Sequence, residues 1–283
     1  MKKIIDAKNI IKTYDIAVRG SKFKNSIKYS SADNGMLNIE VVKGETSKFK
    51  ALDKVSLSIM EGEFTCVMGP SGSGKSTLIS ILSTIDSPTI GKIKVNGENV
   101  IEMSERKLSR FRYENIGYIF QEFNLLDNIT IRDNIALPLL LKNVNKKEIY
   151  KRVEALAEKL DIVGTLDKLP SECSGGQKQR AASARALISE PKIIIADEPT
   201  GNLDSKNSHE LLKILKERNE KQGTSVLMVT HDAMIASYSK KLVFIRDGKI
   251  ETELIRGDLS QKEFFYKIVD ITSKESQNLF NEI

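Results

Sequence analysis

The sequence predicts an α/β protein organised around a parallel sheet, and three observations carry that prediction. Phe64–Met68, Ile193–Asp197 and Ser225–Val229 are short apolar runs without alternation, the pattern of strands covered on both faces. Two intervening stretches have helical character. Residues 178–189 are rich in Ala, Arg, Gln and Leu, and residues 147–160 set Val153, Leu156, Ala157 and Leu160 on one stripe. The first strand also runs straight into a glycine-rich turn and then a helix beginning near Lys75.

That turn reads Gly69-Pro70-Ser71-Gly72-Ser73-Gly74-Lys75-Ser76-Thr77 and fits the pattern G-x-x-x-x-G-K-[ST] in its required strand–turn–helix context. A phosphate chain needs close backbone approach, so Gly69, Gly72 and Gly74 remove side chains that would collide and permit unusual dihedrals. The freed N–H groups and the positive end of the helix form an anion site. Lys75 adds a full charge at the β- and γ-phosphates, and Ser76 supplies a hydroxyl for Mg²⁺.

The strand ending at Asp197 delivers an acid placed to hold Mg²⁺ through water. Glu198 follows and projects to the other side of the backbone, toward the γ-phosphate, where a carboxylate orients and polarises the attacking water. His231 lies just beyond another apolar strand, in the context Thr230-His231-Asp232, and is placed to hydrogen-bond the γ-phosphate; His209 reads as exposed on a polar helix. Ser174-Gly175-Gly176-Gln177 prepares a second helix N-terminus for an anion. This subunit's own phosphate already has its cradle, and the chain carries each element once. The economical solution is a two-fold homodimer in which each Ser174 loop covers the ATP held by its partner.

In this order the five motifs resemble the ATPase subunit of an ABC transporter, which implies a P-loop NTPase ABC ATPase fold. Its expected parts are a RecA-like core, an antiparallel β edge subdomain and a helical subdomain. The resemblance implies ATP and Mg²⁺ as cofactors and ATP hydrolysis as the activity. It assigns Glu198, His231 and Gln121 to catalysis and Ser76, Gln121 and Asp197 to metal. Gln121 follows the strand at 116–120, where the family's glutamine reaches Mg²⁺ and the water and also senses the membrane partner. Ser174 and Gly176 would contact the opposite γ-phosphate, with Gly175 and Gln177 in the same loop. Asp204, in Asn202-Leu203-Asp204, belongs to a loop through which the two sites sense each other. Tyr14 stands where the family places an aromatic ring against adenine, which gives affinity with little base specificity. Cys173 departs from the aliphatic residue usual before the serine, and a buried thiol serves as a small hydrophobe.

The phrases at residues 120–127, 174–180 and 196–204 narrow the resemblance to the macrolide and lipoprotein-releasing branch. Residues 229–238, 244–248 and 261–265 look most like the bacitracin-type peptide-antibiotic ATPases of Gram-positive bacteria. There two ATPase chains serve one large permease, often beside a sensor histidine kinase. The alternatives are a lipoprotein-releasing or macrolide-type ATPase, or a division-associated coupler that does not transport. DNA-repair relatives require long coiled coils and ribosome-acting ones two cassettes in a chain, so no nucleic-acid partner is expected. Phe123-Asn124-Leu125-Leu126 is placed to form a groove for a short helix of the permease.

A single domain of residues 1–283 is expected, in four parts. Residues 1–121 hold an antiparallel edge sheet (55–59 and 92–95) and the phosphate loop, 122–190 are helical, 191–250 complete the nucleotide core, and 251–283 form a tail. In the tail Phe264, Phe265, Ile268 and Val269 make one apolar face, for the chain's own core or for a second subunit. About three dozen residues separate Tyr14 from Ala51, where the family usually has far fewer. This insertion, about residues 15–50, alternates at 23–30 and 36–42 around Asp33-Asn34-Gly35 and reads as an extra hairpin or an arm. Residues 1–50 hold 11 Lys/Arg against 5 Asp/Glu, a surplus of 6 that equals the whole-chain difference of 44 and 38. A basic arm suits anionic headgroups or simple solvation.

With 40% hydrophobic and 29% charged residues in 283, the chain suits a large globular core. The longest apolar run, 135–141, is interrupted by Pro138 and falls far short of the roughly 20 residues that span a bilayer. The sequence reads without a secretory leader. Cys66 and Cys173 give no disulfide framework and fit a reducing cytosol. The expected location is cytoplasmic, peripheral on the inner face of the plasma membrane.

Overall fold

The structure, a computed structural model, describes residues 2–17, 26–31, 37–42 and 46–281, with side chains described over 2–15 and 48–273. Two long strands open the chain, β1 (Lys3–Ala17) and β4 (Thr46–Met60), and between them lie β2 (Ser26–Ser31) and β3 (Leu37–Val42). β1 and β4 pair antiparallel from Lys3↔Met60 out to Ala17↔Thr46. β2 and β3 pair antiparallel from Ser26↔Val42 to Ser31↔Leu37, so the alternating segments of the insertion form a hairpin. The Asp33-Asn34-Gly35 turn expected between them lies outside the described residues, as do the side chains of residues 16–47, which carry most of the insertion's charge.

β5 (Phe64–Met68) feeds the phosphate loop and α1 (Lys75–Leu82). The chain then returns to β1 through β6 (Ile90–Val95) and β7 (Glu98–Asn99), giving a four-stranded sheet ordered β4-β1-β6-β7. After α2 (Glu105–Asn115) and β8 (Ile116–Ile119) come three helices, α3 (Ile131–Leu141), α4 (Lys146–Lys159) and α5 (Gly175–Leu187). Thr130 and Asn145 cap α3 and α4 through their side-chain oxygens. Pro138 does not end α3, which runs on to Leu141. α4 buries Ile149, Val153, Leu156 and Ala157, with Leu160 buried just beyond it.

The remainder is β9 (Ile193–Asp197), α6 (Ser205–Gln222), β10 (Ser225–Val229), α7 (Ala233–Ala236), β11 (Lys241–Arg246), β12 (Lys249–Ile255) and α8 (Gln261–Asn281). A six-stranded sheet ordered β12-β11-β5-β10-β9-β8 results, parallel except for β12. Its central strands sort residues by parity. Phe64, Cys66, Met68, Ile194, Ala196, Val226 and Met228 enter a core with α3–α6 and α8, whereas Val67, Ile193, Ile195, Leu227 and Val229 enter a second core with α1 and the β1–β4 sheet. Both faces are covered, which is why these runs are continuous rather than alternating. β12, on the edge, alternates exposed with half-buried residues.

The tail packs on the chain's own core. Phe264 and Ile268 are fully buried, and Ile271 rests against the same cluster. Truncating Phe264 to Ala should therefore destabilise the protein by about 3–5 kcal/mol in urea denaturation. Tyr266, two residues on and 57% exposed on the opposite face of the helix, should tolerate the same change within about 0.5 kcal/mol.

Candidate functional site

The phosphate loop is shaped first by the chain's own backbone. A Cβ on Gly69 would lie 2.0 Å from the carbonyl oxygen of Ile245, and one on Gly74 would lie 2.5 Å from that of Ala51. Gly74 also has φ 99° as the N-cap of α1, a conformation L side chains rarely adopt. These glycines thus meet strands β11 and β4, whereas a Cβ on Gly72 would meet nothing within 4 Å. Ser73 donates its N–H to Pro70 and its carbonyl accepts from Gly248, at 3.3 and 3.0 Å. The loop's outer residues Pro70, Ser71, Gly72 and Ser76 are exposed, and Thr77 is half-buried.

Lys75 folds across this loop and donates to the carbonyls of Gly69 and Pro70, at 2.9 and 2.8 Å. Burial lowers its pKa, opposed by Glu198 and Asp197. Asp197 ends β9 beside Val229. Burial, then Glu198, lifts its carboxyl above the ordinary 3.8, while Lys75 draws it down. The two acids and the lysine therefore share one field although no hydrogen bond joins them. Tyr118 on β8 feels the same carboxylate, with its phenol pushed up by burial and Asp197.

Glu198 sits at φ 43°, and its N–H donates to the carbonyl of Val229 at 3.0 Å. The turn swings its side chain away from Asp197 and between two partners. His231 Nδ1 lies 3.1 Å from one carboxylate oxygen, and Gln121 Nε2 lies 3.5 Å from the other, the outer limit of a hydrogen bond. Four parallel strand ends thus deliver Gly69–Thr77, Gln121, Asp197 with Glu198, and His231 to one edge of the sheet. Beyond Glu198 and His231 a cleft of about 390 Å³ opens, lined also by Leu203, His209, Met234 and Tyr238. His209 is exposed, and its Nδ1 pairs with the Tyr238 hydroxyl.

Ser174–Gln177 is held in a different way. Ser174 caps α5: its hydroxyl accepts from the Gln177 N–H at 3.3 Å, and its own N–H donates to the Gln177 side chain at 2.9 Å. Among the described residues no hydrogen bond or ion pair joins this loop to residues 69–77. Gly176 faces Asn202 and Leu203, with a built Cβ 3.6 Å from each. Cys173 is buried, its thiol pushed up chiefly by burial, as expected of a small hydrophobe. Asp204 caps α6, accepting the N–H and side-chain amide of Asn207 at 2.8 Å each, and Asn207 lowers its pKa. Tyr14 stands apart on β1, 40% exposed, with its hydroxyl 3.2 Å from Asp86 and Lys12 Nζ 5.0 Å from its ring centroid.

Sequence reasoning missed three connections. Asn202 Nδ2 donates to the Gln121 carbonyl at 3.2 Å. Arg185 donates to the carbonyls of Phe123 and Asn124 at 2.9 and 2.6 Å, fixing both residues in the left-handed region at φ 60° and 49°. Arg180 reaches Asn207, joining α5 to α6. None carries a local signal, because each bond spans 27 or more residues. Among the described residues no cluster of three His, Cys, Asp or Glu could hold a metal. A hard cation bound through phosphate oxygens and water needs only one or two protein groups, and the exposed Ser76 hydroxyl and the charge-strained Asp197 carboxylate fit that demand.

Residues 52–201 match the family model described as ABC transporter. The chain is 48% identical over 231 residues to the ABC transporter ATP-binding protein YxdL of Bacillus subtilis strain 168, covering 82% of this chain and 89% of that one. It is 46% identical over 223 residues to the bacitracin export ATP-binding protein BceA of Halalkalibacterium halodurans, covering 79% and 88%. Its fold superposes with a TM-score of 0.76 and 34% identity on the dimeric post-hydrolysis structure of the ATP-binding cassette MJ0796 bound to ADP and Pi, covering 89% and 98%.

Burial of Asp197 has a consequence for stability. The unfolded chain releases this proton near pH 3.8, whereas the folded chain holds it to higher pH. The folded state therefore loses stability as the pH rises through that interval. Asp197→Asn escapes the loss and should unfold at higher urea than the parent at pH 7 without nucleotide. That advantage should vanish below about pH 3.8.

Proposed function

The chain belongs to the family of ABC transporter ATP-binding proteins and is an ATPase subunit of a transporter; from that premise we propose that two copies close around two MgATP to drive a separate integral membrane permease. We place it in peptide-antibiotic export, resistance or sensing of the bacitracin type, cytoplasmic and peripheral on the inner face of the plasma membrane, with a sensor histidine kinase reached through the permease. The 46% identity to a bacitracin export ATP-binding protein supports the class of cargo. The single observation that carries the mechanism is the Glu198 carboxylate held between Gln121 and His231 beside the Lys75 loop.

In this reading residues 69–77 cradle the phosphates, Lys75 turns from its loop carbonyls to the β- and γ-oxygens, and Tyr14 supports adenine. Ser76, Asp197 and Gln121 would hold Mg²⁺, which when bound would neutralise phosphate charge. Glu198 orients and polarises a water for in-line attack on the γ-phosphorus, breaking its bond to the bridging oxygen and giving ADP and phosphate. His231 steadies the γ-phosphate and the Glu198 carboxylate. The exposed outer face of the phosphate loop, and the absence of any bond from it to Ser174–Gln177 among the described residues, support closure by a second copy. There Ser174, Gly175, Gly176 and Gln177 meet the partner's ATP, and Asp204 lies in the sensing loop. We retain one domain, with residues 122–190 as its helical part.

The permease contact is assigned to residues 123–126. Arg185 rigidifies this segment, Leu126 is 50% exposed, and a groove of about 310 Å³ lies alongside, lined by Tyr118, Phe120, Asn124, Leu137 and Leu141.

With MgATP, Glu198→Gln should form dimers in light scattering and hydrolyse about 10²–10⁴-fold more slowly than the parent. Adding Ser174→Arg should leave it monomeric. A monomeric Glu198→Gln with ATP bound and the permease present would overturn the clamp. Leu126→Ser should lose the permease in a pull-down at unchanged melting temperature; retention would move the docking site elsewhere. Disrupting the gene should remove protection against a cell-wall antibiotic, and a division or morphology defect instead would identify a coupler.

A further inference from the structure

The extended arm of β4 brings a second aromatic ring to Tyr14. Tyr14 and Phe49 are direct cross-strand partners in the β1–β4 ladder, so both side chains stand on one face of the sheet. The register makes this possible. Lys12 pairs with Leu52 but Thr13 pairs with Lys50, which leaves Ala51 as an extra residue on β4. Such a bulge reverses the alternation, and Phe49 then shares its face with Leu52 instead of opposing it.

Leu52 ties that face to the phosphate loop. A Cβ on Gly74 would lie 3.0 Å from Leu52 Cδ2. Phe49 is three residues further along the strand, about 10 Å away, a distance of the order that separates the phosphates of a nucleotide from its base. The Tyr14 ring is already oriented. Asp86 takes its hydroxyl and Lys12 covers one side of the ring, while Lys12 itself is paired to Asp86 at 2.7 Å. Phe49 is 49% exposed and belongs to neither core. Among the described residues it makes no ring contact with Tyr14, so the two rings do not satisfy each other.

We propose that Phe49 is a second aromatic contact for the nucleotide base, so that adenine is held between the rings of Tyr14 and Phe49. The assignment rests on the ATPase reading and on Tyr14 as its adenine contact. A purine presents two faces, and stacking on an aromatic side chain contributes on each. β4 reaches Phe49 only because β1 and β4 continue to pair beyond Lys12 and Leu52, out toward the insertion.

The test is calorimetric titration of the full-length chain with ATP and, separately, with inorganic tripolyphosphate, which has the charge but no base. Phe49→Ala should weaken ATP by about tenfold and leave tripolyphosphate unchanged, whereas Phe49→Tyr should bind ATP like the parent. The chain contains no tryptophan, so Phe49→Trp introduces the sole indole. Its emission should be quenched saturably by ATP and not by tripolyphosphate. Unchanged ATP affinity in Phe49→Ala overturns the proposal, as does equal weakening of both ligands. If Tyr14→Ala loses ATP affinity while Phe49→Ala does not, only the second ring is wrong. If the parent binds no ATP, the ATPase reading fails with it.

Discussion

The parallel hydrogen bonding of β10 to both β5 and β9 is the interaction on which the rest of the structure depends. It aligns the carboxyl ends of these strands, and those ends carry every group in the proposed chemistry except Gln121, which follows the neighbouring β8, the Ser174 loop and the rings at the base. Ligands gather at such edges because strand ends are the only points where a buried sheet releases backbone and side chains together. The bond from the Glu198 N–H to Val229 prolongs this ladder by one residue beyond Asp197. One more ladder bond thus separates two adjacent acids into two directions.

The site is held under electrostatic tension. Asp197 and Lys75 are both displaced from their ordinary pKa values by burial, each in the direction that disfavours its charge. They do not pair directly, because Lys75 is occupied by the carbonyls of its own loop. A structure optimised for stability alone would not bury two groups this way. Polyphosphate and a cation relieve both at once, so affinity is built into what the folded chain leaves unsatisfied.

Much of this was legible in the sequence, and the reasons differ by element. Phe64–Met68, Ile193–Asp197 and Ser225–Val229 are legible because burial on two faces leaves no polar positions. The phosphate loop is legible because its glycines are forced, although two of them answer to Ile245 and Ala51 rather than to a phosphate. Pro138 interrupts the apolar run without ending the helix, because α3 continues through it. Phe264 shows an apolar face but not what covers it, since its neighbours come from distant segments. The links from Asn202 to Gln121, and from Arg185 to Phe123 and Asn124, are invisible because each joins a side chain to a carbonyl, and every residue has a carbonyl.

Arg185 therefore acts as a latch. Two consecutive residues without glycine's freedom, Phe123 and Asn124, stay left-handed because one guanidinium grips both carbonyls. Two residues before Phe123 stands Gln121, whose side-chain amide lies 3.5 Å from Glu198 and whose carbonyl is held by Asn202. Were the proposed permease seated on residues 123–126, it and a ligand at Glu198 would act on one connected segment. Any coupling between them would then be reciprocal, each altering the other's affinity by the same factor. Cargo engagement on the far side of a membrane would be felt as a change in nucleotide affinity, with no separate messenger.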